Sequence, residues 1–286
     1  MNNVKQILLI CGNNIRRNFI NPRIYLSFLL VIVLFQQLTK IVRTFSMQMN
    51  IKTVPWIYPY LAQKYYIQMI LILGIVLLFC DAPFMNESTP FLLIRAGRRN
   101  WLLGQITYII SMSFIFFAVI VLVSFLLLFP QIDWQLGWGK VLGTLAQTNA
   151  ASQIGVSQLQ LNYRLQVTYT PLAAMCYSFL ISWIVGIMTG LLMLVINLYF
   201  KFIVGPMAGA AIAFLPYLAI NYSKLYAIYY ISPASWMDIV MWAGDKTSRQ
   251  PSKLYMSIFI GITLVVLITI SLIKIKKSTI DVMRQF

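Results

Sequence analysis

Residues 171–220 read PLAAMCYSFLISWIVGIMTGLLMLVINLYFKFIVGPMAGAAIAFLPYLAI, a long apolar stretch whose one charged residue is Lys201. An α-helix rises 1.5 Å per residue, so about 20 apolar residues cross the roughly 30 Å hydrocarbon core of a bilayer. The stretch is too long for one crossing and has to be two membrane helices with a tight turn at Lys201. In the second, Gly205, Pro206, Gly209 and Pro216 predict kinks and close helix contacts. Pro removes a backbone donor, and Gly lets neighbouring backbones approach.

Outward from this pair, the same criterion finds runs at 24–39, 65–80, 102–129 and 254–273, beside 171–200 and 202–220. The first two are short by this measure. The expected fold is an all-α polytopic membrane protein, one domain over 1–286 with six transmembrane helices. Composition agrees: 60% of residues are hydrophobic and 10% charged, against about a quarter charged in soluble domains. The first run follows a polar stretch and no small-residue cleavage site closes it, so it is expected to stay in the mature protein.

The net charge of +16 comes from 22 basic and 6 acidic residues. The basic residues lie in connectors and form no continuous stripe, which points to topology signals and lipid headgroups and away from nucleic acid. With both termini cytoplasmic, the inner segments hold Lys5, Arg16, Arg17, Arg23, Arg95, Arg98, Arg99, Lys201, Lys274, Lys276, Lys277 and Arg284. The other basic residues are spread over longer outer segments, so basic density inside is about double and the termini are placed in the cytoplasm. Tyr58, Tyr60, Tyr65, Trp134, Trp138, Tyr222 and Tyr226 would then form part of an outer aromatic belt, and Trp101 and Tyr199 would mark the inner one.

Much chemistry is excluded. Histidine is absent, removing the commonest general base and proton shuttle. Cys11, Cys80 and Cys176 are too scattered for a disulfide framework or metal cluster and read as apolar fillers. No span holds a close pair of acids and no Gly-x-x-x-x-Gly-Lys-Ser/Thr loop exists, so no catalytic residue, metal or cofactor is expected. An ion-coupled carrier usually has ionisable residues within its spans. Here Asp81 stands at the end of the second run, with Gln36, Gln37 and Asn197 also near span ends. A channel or membrane scaffold is left open.

The connectors carry the remaining information. In 1–23, Val4, Ile7, Leu8, Cys11, Ile15 and Phe19 share one helical face opposite Lys5, Gln6, Asn13, Arg16 and Arg17, which predicts an amphipathic interfacial helix. It serves either as an anchor or to transmit force. After the second run, Thr89 is an N-cap, Pro90 a first helical residue and Gly97 a C-terminal cap, so 90–96 is a short helix ending beside Arg95, Arg98 and Arg99. It either presents a surface to a partner or is a loop whose arginines fix topology. Before the last run, Ser232 and Pro233 start a helix that Gly244 ends. Trp236, Met237, Val240 and Met241 make it apolar enough to dip into the outer leaflet. Connector 130–170 is polar, rich in Gln and Asn, and expected to be an extracellular cap that specifies no ligand.

This pattern resembles the membrane subunits of type 2 ATP-binding-cassette exporters, the ABC-2 family. The likeness rests on six spans with cytoplasmic termini, the amphipathic N-terminal helix, connector 87–104 with its Arg98-Arg99-Asn100-Trp101-Leu102-Leu103-Gly104 run, and Ser232-Pro233-Ala234-Ser235-Trp236 before the last span. The resemblance implies a coupling helix at 90–96, with Glu87, Thr89, Pro90, Arg95, Arg98 and Arg99 meeting a separate ATPase subunit present in two copies. It also implies a second permease chain, identical or similar. Ser232, Pro233, Trp236 and Asp238 become candidates for an outer gate or interfacial helix. The expectation is a multi-pass subunit in a bacterial cell membrane, moving an amphipathic peptide, drug or lipid-like cargo by alternating access. The alternative is an ion-coupled carrier, channel or scaffold without an ATPase partner.

Overall fold

The computed structural model describes residues 3–85, 89–148, 161–200, 203–222, 226–244 and 250–277. The long helices are α2 (Pro22–Gln48), α6 (Arg98–Leu126), α9 (Pro171–Tyr199), α10 (Val204–Asn221) and α12 (Lys253–Lys277). These five are long and apolar enough to cross a membrane; a sixth apolar helix, α4 (Tyr65–Phe79), has 15 residues. Shorter helices are α1 (Asn3–Asn18), α3 (Tyr58–Ala62), α5 (Thr89–Ala96), α7 (Gly139–Gln147), α8 (Tyr163–Thr168) and α11 (Ala227–Ile231). No strand occurs among the described residues, where Thr53 and Ile132 make an isolated bridge. The protein is an all-α membrane protein.

Helix α4 is the axle of the bundle. It packs against α2, α9 and α10, and Ile67, Leu71, Ile72, Ile75, Leu78 and Phe79 are buried. At 1.5 Å per residue it covers about 22 Å, short of the roughly 30 Å core. It need not be longer, because protein lies beyond both its ends. The peripheral helices do the opposite: α2 exposes Leu26, Leu29, Leu30 and Val33, and α12 exposes Ile258, Ile262 and Val265, as expected where lipid is the solvent.

Lipid chains are as apolar as leucine, so helices associate by close packing, and small residues line the contacts. A Cβ on Gly190 would stand 2.8 Å from Ile109 Cγ2 and 2.9 Å from Phe79, and one on Gly186 would stand 2.7 Å from Phe117. Gly209 of α10 meets Val76 and Met193 in the same way. Some buried hydroxyls are satisfied within their own helix: Ser27 donates to Ile24 O at 2.7 Å, and Thr189 donates to Val185 O at 2.9 Å.

Several boundaries differ from expectation. The first apolar run, placed at 24–39, is part of a helix that continues through Gln48. Hydropathy locates hydrocarbon, whereas the helix needs only its backbone bonds and carries Lys40 and Arg43 past the apolar stretch. Pro216 lies inside an uninterrupted α10, and the expected start of that span at Phe202 is outside the described residues. Connector 130–170 contains α7 and α8, with Val141, Leu142, Leu145 and Leu165 buried. Tyr58, Tyr60 and Trp101, expected in the belts, are buried inside the protein instead. The Tyr58 hydroxyl donates to Ser182 Oγ at 2.9 Å, which binds α3 to α9 and removes this ring from the interface.

Gly190→Leu forces a side chain into Ile109 and Phe79, and overpacking of this kind costs about 1–3 kcal/mol. The midpoint of thermal unfolding in detergent is expected to fall. Gly143→Ala, where no atom lies within 4 Å of the new methyl, is expected to leave it unchanged or slightly raised.

Candidate functional site

The connector leaving α4 is held from three sides. Arg23 at the start of α2 donates through Nη1 to both carboxylate oxygens of Asp81, each at 2.8 Å. Both side chains are half exposed, so the pair orients the chain more than it stabilises it. Asn197 at the end of α9 is 1% exposed; its Nδ2 donates to Ala82 O at 2.6 Å and its Oδ1 accepts from Gly205 N at 2.9 Å. Buried Gln105 of α6 donates to Phe84 O and accepts from Phe84 N, both at 3.3 Å. One amide thus imitates a strand partner for a single residue.

Helix α5 follows this clamp. Thr89 is buried, while Phe91 is 75% and Ile94 78% exposed. Leu93 and Ala96 pack against the core, and α5 lies against α6. Gly97, at φ +81°, makes the corner between the two helices, a conformation that favours glycine. Its N–H closes α5 on Leu93 O and its carbonyl opens α6 by accepting from Trp101 N, both at 3.0 Å.

Helix α1 runs along the first turns of α6. Gly104 admits Ile10, whose Cγ2 would be 2.6 Å from an added Cβ, and Asn18 donates to the hydroxyl of Tyr108. The amphipathic reading of α1 located the helix but not its buried stripe, which is Ile10, Cys11, Asn14 and Asn18, while Val4 and Leu8 are exposed. The apolar face was expected on the membrane surface, and the side that α1 turns to the protein includes two asparagines, Asn14 and Asn18. A cavity of about 140 Å³ opens beside this stripe, lined by Asn14, Arg17, Asn21, Asp81 and Phe84 among others.

The sequence-predicted residues therefore fall into two groups at opposite ends of α4. Thr89, Pro90 and Arg95 are in α5, and Arg98 and Arg99 occupy the first turn of α6 just past Gly97. Thr89 is the first helical residue of α5 where it was expected as the cap. Glu87 lies outside the described residues. Ser232, Pro233, Trp236 and Asp238 form the other group. The single helix expected from Pro233 is two 3-10 turns, Pro233–Met237 and Ile239–Ala243. Asp238 breaks it by going extended and capping the second turn, its Oδ1 accepting from Val240 N at 2.9 Å.

This second group is packed in the protein rather than dipped in lipid. Trp236, Met237, Val240 and Met241 are all buried. The Trp236 indole donates to Tyr229 O at 2.8 Å and its ring meets Phe259 at 5.2 Å between centroids. Ser232 Oγ accepts from Ser235 N at 3.4 Å. Burial pushes the Asp238 carboxyl up to about 6, opposed by its bond from Val240 N and by the charges of Lys64 and Arg164. Burial also pushes the Lys64 ammonium down, with Asp238 opposing.

Arg23, Gln105, Asn197 and the Asn18–Tyr108 pair were missed as site residues. Gln105 and Asn197 carried a usable signal, since a polar amide inside an apolar run has to find a partner within the bundle. Arg23 and Asp81 did not, being 58 residues apart in sequence. Compared with protein-family models, curated proteins and solved structures, the chain matches none.

Folding raises the Asp238 pKa from 3.8 to about 6, so the native state holds this proton more tightly than the unfolded chain. Stability is then greatest below 3.8 and declines as pH rises through about 6, by about 2–3 kcal/mol. Thermal unfolding of the detergent-solubilised protein is expected at higher temperature at pH 5 than at pH 7. Asp238→Asn, which keeps the acceptor for Val240 N, is expected to flatten that dependence.

Proposed function

We propose that the chain is the membrane-spanning permease subunit of an ATP-driven exporter of the ABC-2 kind, located in a bacterial cell membrane. In this reading α2, α4, α6, α9, α10 and α12 are six crossings. Both termini, α1 and α5 are then cytoplasmic, which agrees with the higher basic density of those segments. The observation that carries the proposal is α5: a short capped helix with Phe91 and Ile94 exposed beside Arg95, on a connector fixed to α2, α6 and α9. Exposed apolar side chains beside a cation suit protein contact, and a clamped connector passes on a push that a loose one would absorb. The groove between α1 and α5, lined by Leu9, Ile10, Leu92 and Ala96 with Arg95 at its edge, extends the same surface.

Two copies of a separate ATPase subunit supply the energy, and a second permease chain, identical or similar, completes the path. Alternating access would carry an amphipathic peptide, drug or lipid-like cargo. A second reading, an ion-coupled carrier, draws on Asp238, whose raised pKa puts a titrating carboxyl at the other end of α4. It is the weaker, because Asp238 lies in a connector and not along a crossing.

Arg95→Glu with Arg98→Glu, and separately Phe91→Ala with Ile94→Ala, are expected to reduce co-purification of the ATPase subunit by about tenfold or more, equivalent to about 1.4 kcal/mol. Unchanged association in both double variants would remove α5 from the docking surface. Cargo movement in liposomes on an ion gradient alone, with no nucleotide, would decide for the carrier.

A further inference from the structure

The far half of α2 carries a polar face that the transport reading does not use. Gln36, Thr39, Lys40, Arg43, Thr44 and Met47 recur at helical spacing and line a cavity of about 490 Å³, closed on one side by Leu126 and Leu127 at the end of α6. That volume falls within the usual range of small-molecule sites, roughly 300–1,000 Å³. Two cations face it, and among the described residues no acid lines it. Among the described residues Lys40 and Arg43 have no ion-pair partner, and Arg43 Nε is enclosed with no hydrogen-bond partner. Leaving a donor of a charged group buried and unmatched costs more than an ordinary lost bond, so the site suits an anion that the described residues do not supply.

Position narrows the anion. Lys40 lies about 24 Å and Arg43 about 28 Å along the axis from Ile24, at 1.5 Å per residue. With a hydrocarbon core of about 30 Å, both cations reach the far headgroup layer. A guanidinium matches phosphate oxygens with a planar fork and the ammonium adds a point charge. The Thr44 hydroxyl and Gln36 amide can supply further donors, while Met47, Leu126 and Leu127 offer an apolar wall to the first carbons of a chain. We infer that this cavity binds the phosphoryl headgroup of an anionic amphiphile in the leaflet beside the far end of α2. The inference needs α2 to cross the membrane but needs no ATPase, so it stands or falls apart from the docking of α5.

Native mass spectrometry of the full chain, solubilised with equal amounts of phosphatidylglycerol and phosphatidylcholine, reads the site directly. Wild-type protein is expected to retain phosphatidylglycerol over phosphatidylcholine by about tenfold. Lys40→Gln with Arg43→Gln is expected to bring the two to parity, and Lys140→Gln, at an exposed position of α7, to change nothing. Arg43→Lys, which keeps the charge and loses the fork, is expected to fall between, and serves as the readout if the double variant does not fold. Excess inorganic phosphate separates the sources: displacement of the lipid assigns the site to soluble phosphoryl anions, and retention assigns it to the lipid. Equal retention of both lipids by the wild type, or undiminished phosphatidylglycerol selectivity in the folded double variant, overturns the inference.

Discussion

A backbone that leaves a helix within a bilayer has no water to turn to, and each unmatched N–H or C=O costs several kcal/mol. The α4 connector meets this constraint with side chains. Asn197 takes the Ala82 carbonyl and Gln105 takes both backbone groups of Phe84, so two amides from two helices stand in for the secondary structure the connector lacks. Asn197 also caps the start of α10 through Gly205 N. A Cβ on Gly205 would stand 2.2 Å from Asn197 Oδ1, so that bond requires glycine. One buried side chain therefore fixes where α4 ends, where α9 ends and how α10 begins.

The opposite end of the bundle solves the same problem with indoles. Trp56 donates to Gln135 O, Trp138 to Tyr169 O, Trp236 to Tyr229 O and Trp242 to Trp236 O, at 2.8 to 3.0 Å. Each ring fills apolar volume while its N–H closes a carbonyl in irregular chain, a combination suited to the boundary between hydrocarbon and water. The segments of the cap formed by α3, α7, α8, α11 and the 3-10 turns are thereby tied to one another, and within it the charges of Lys64 and Arg164 act on Asp238. The two ends are thus different materials: amides and the half-exposed Arg23–Asp81 ion pair at the α5 end, rings and the Asp238 carboxyl under the influence of two cations at the other.

What was legible in the sequence follows from which forces are local. The apolar runs at 65–80 and 171–200 match α4 and α9 to within a residue, because hydropathy and Pro171 at a helix start are local signals. Thr89, Pro90 and Gly97 located α5 for the same reason. The belt assignment of Tyr58 and Trp101 failed because an aromatic ring at a span end suits both an interface and a buried contact, and only a partner such as Ser182 distinguishes them. The 3-10 turns at 233–243 were invisible because Asp238 caps its own segment, which reads in sequence like an interior helical residue. For a long-range pair such as Asn197 with Ala82, the sequence marks the amide as needing a partner but does not say which carbonyl it takes.

These features combine in α4. Its flanks are seams where Gly209 meets Val76 and where Gly190 meets Phe79, at separations that leave no room for a methyl group. A close-packed helix of this kind transmits displacement instead of absorbing it, since cores are bistable more than they are compressible. Its lower end is bolted through residues 81–84 to α2, α6 and α9, and its upper end begins at Lys64, next to Asp238. Under the transport reading, a push that reaches residues 81–84 is not absorbed there, because three helices hold them. The load passes to α4 as a rod and arrives at Lys64, beside the cap that holds Asp238.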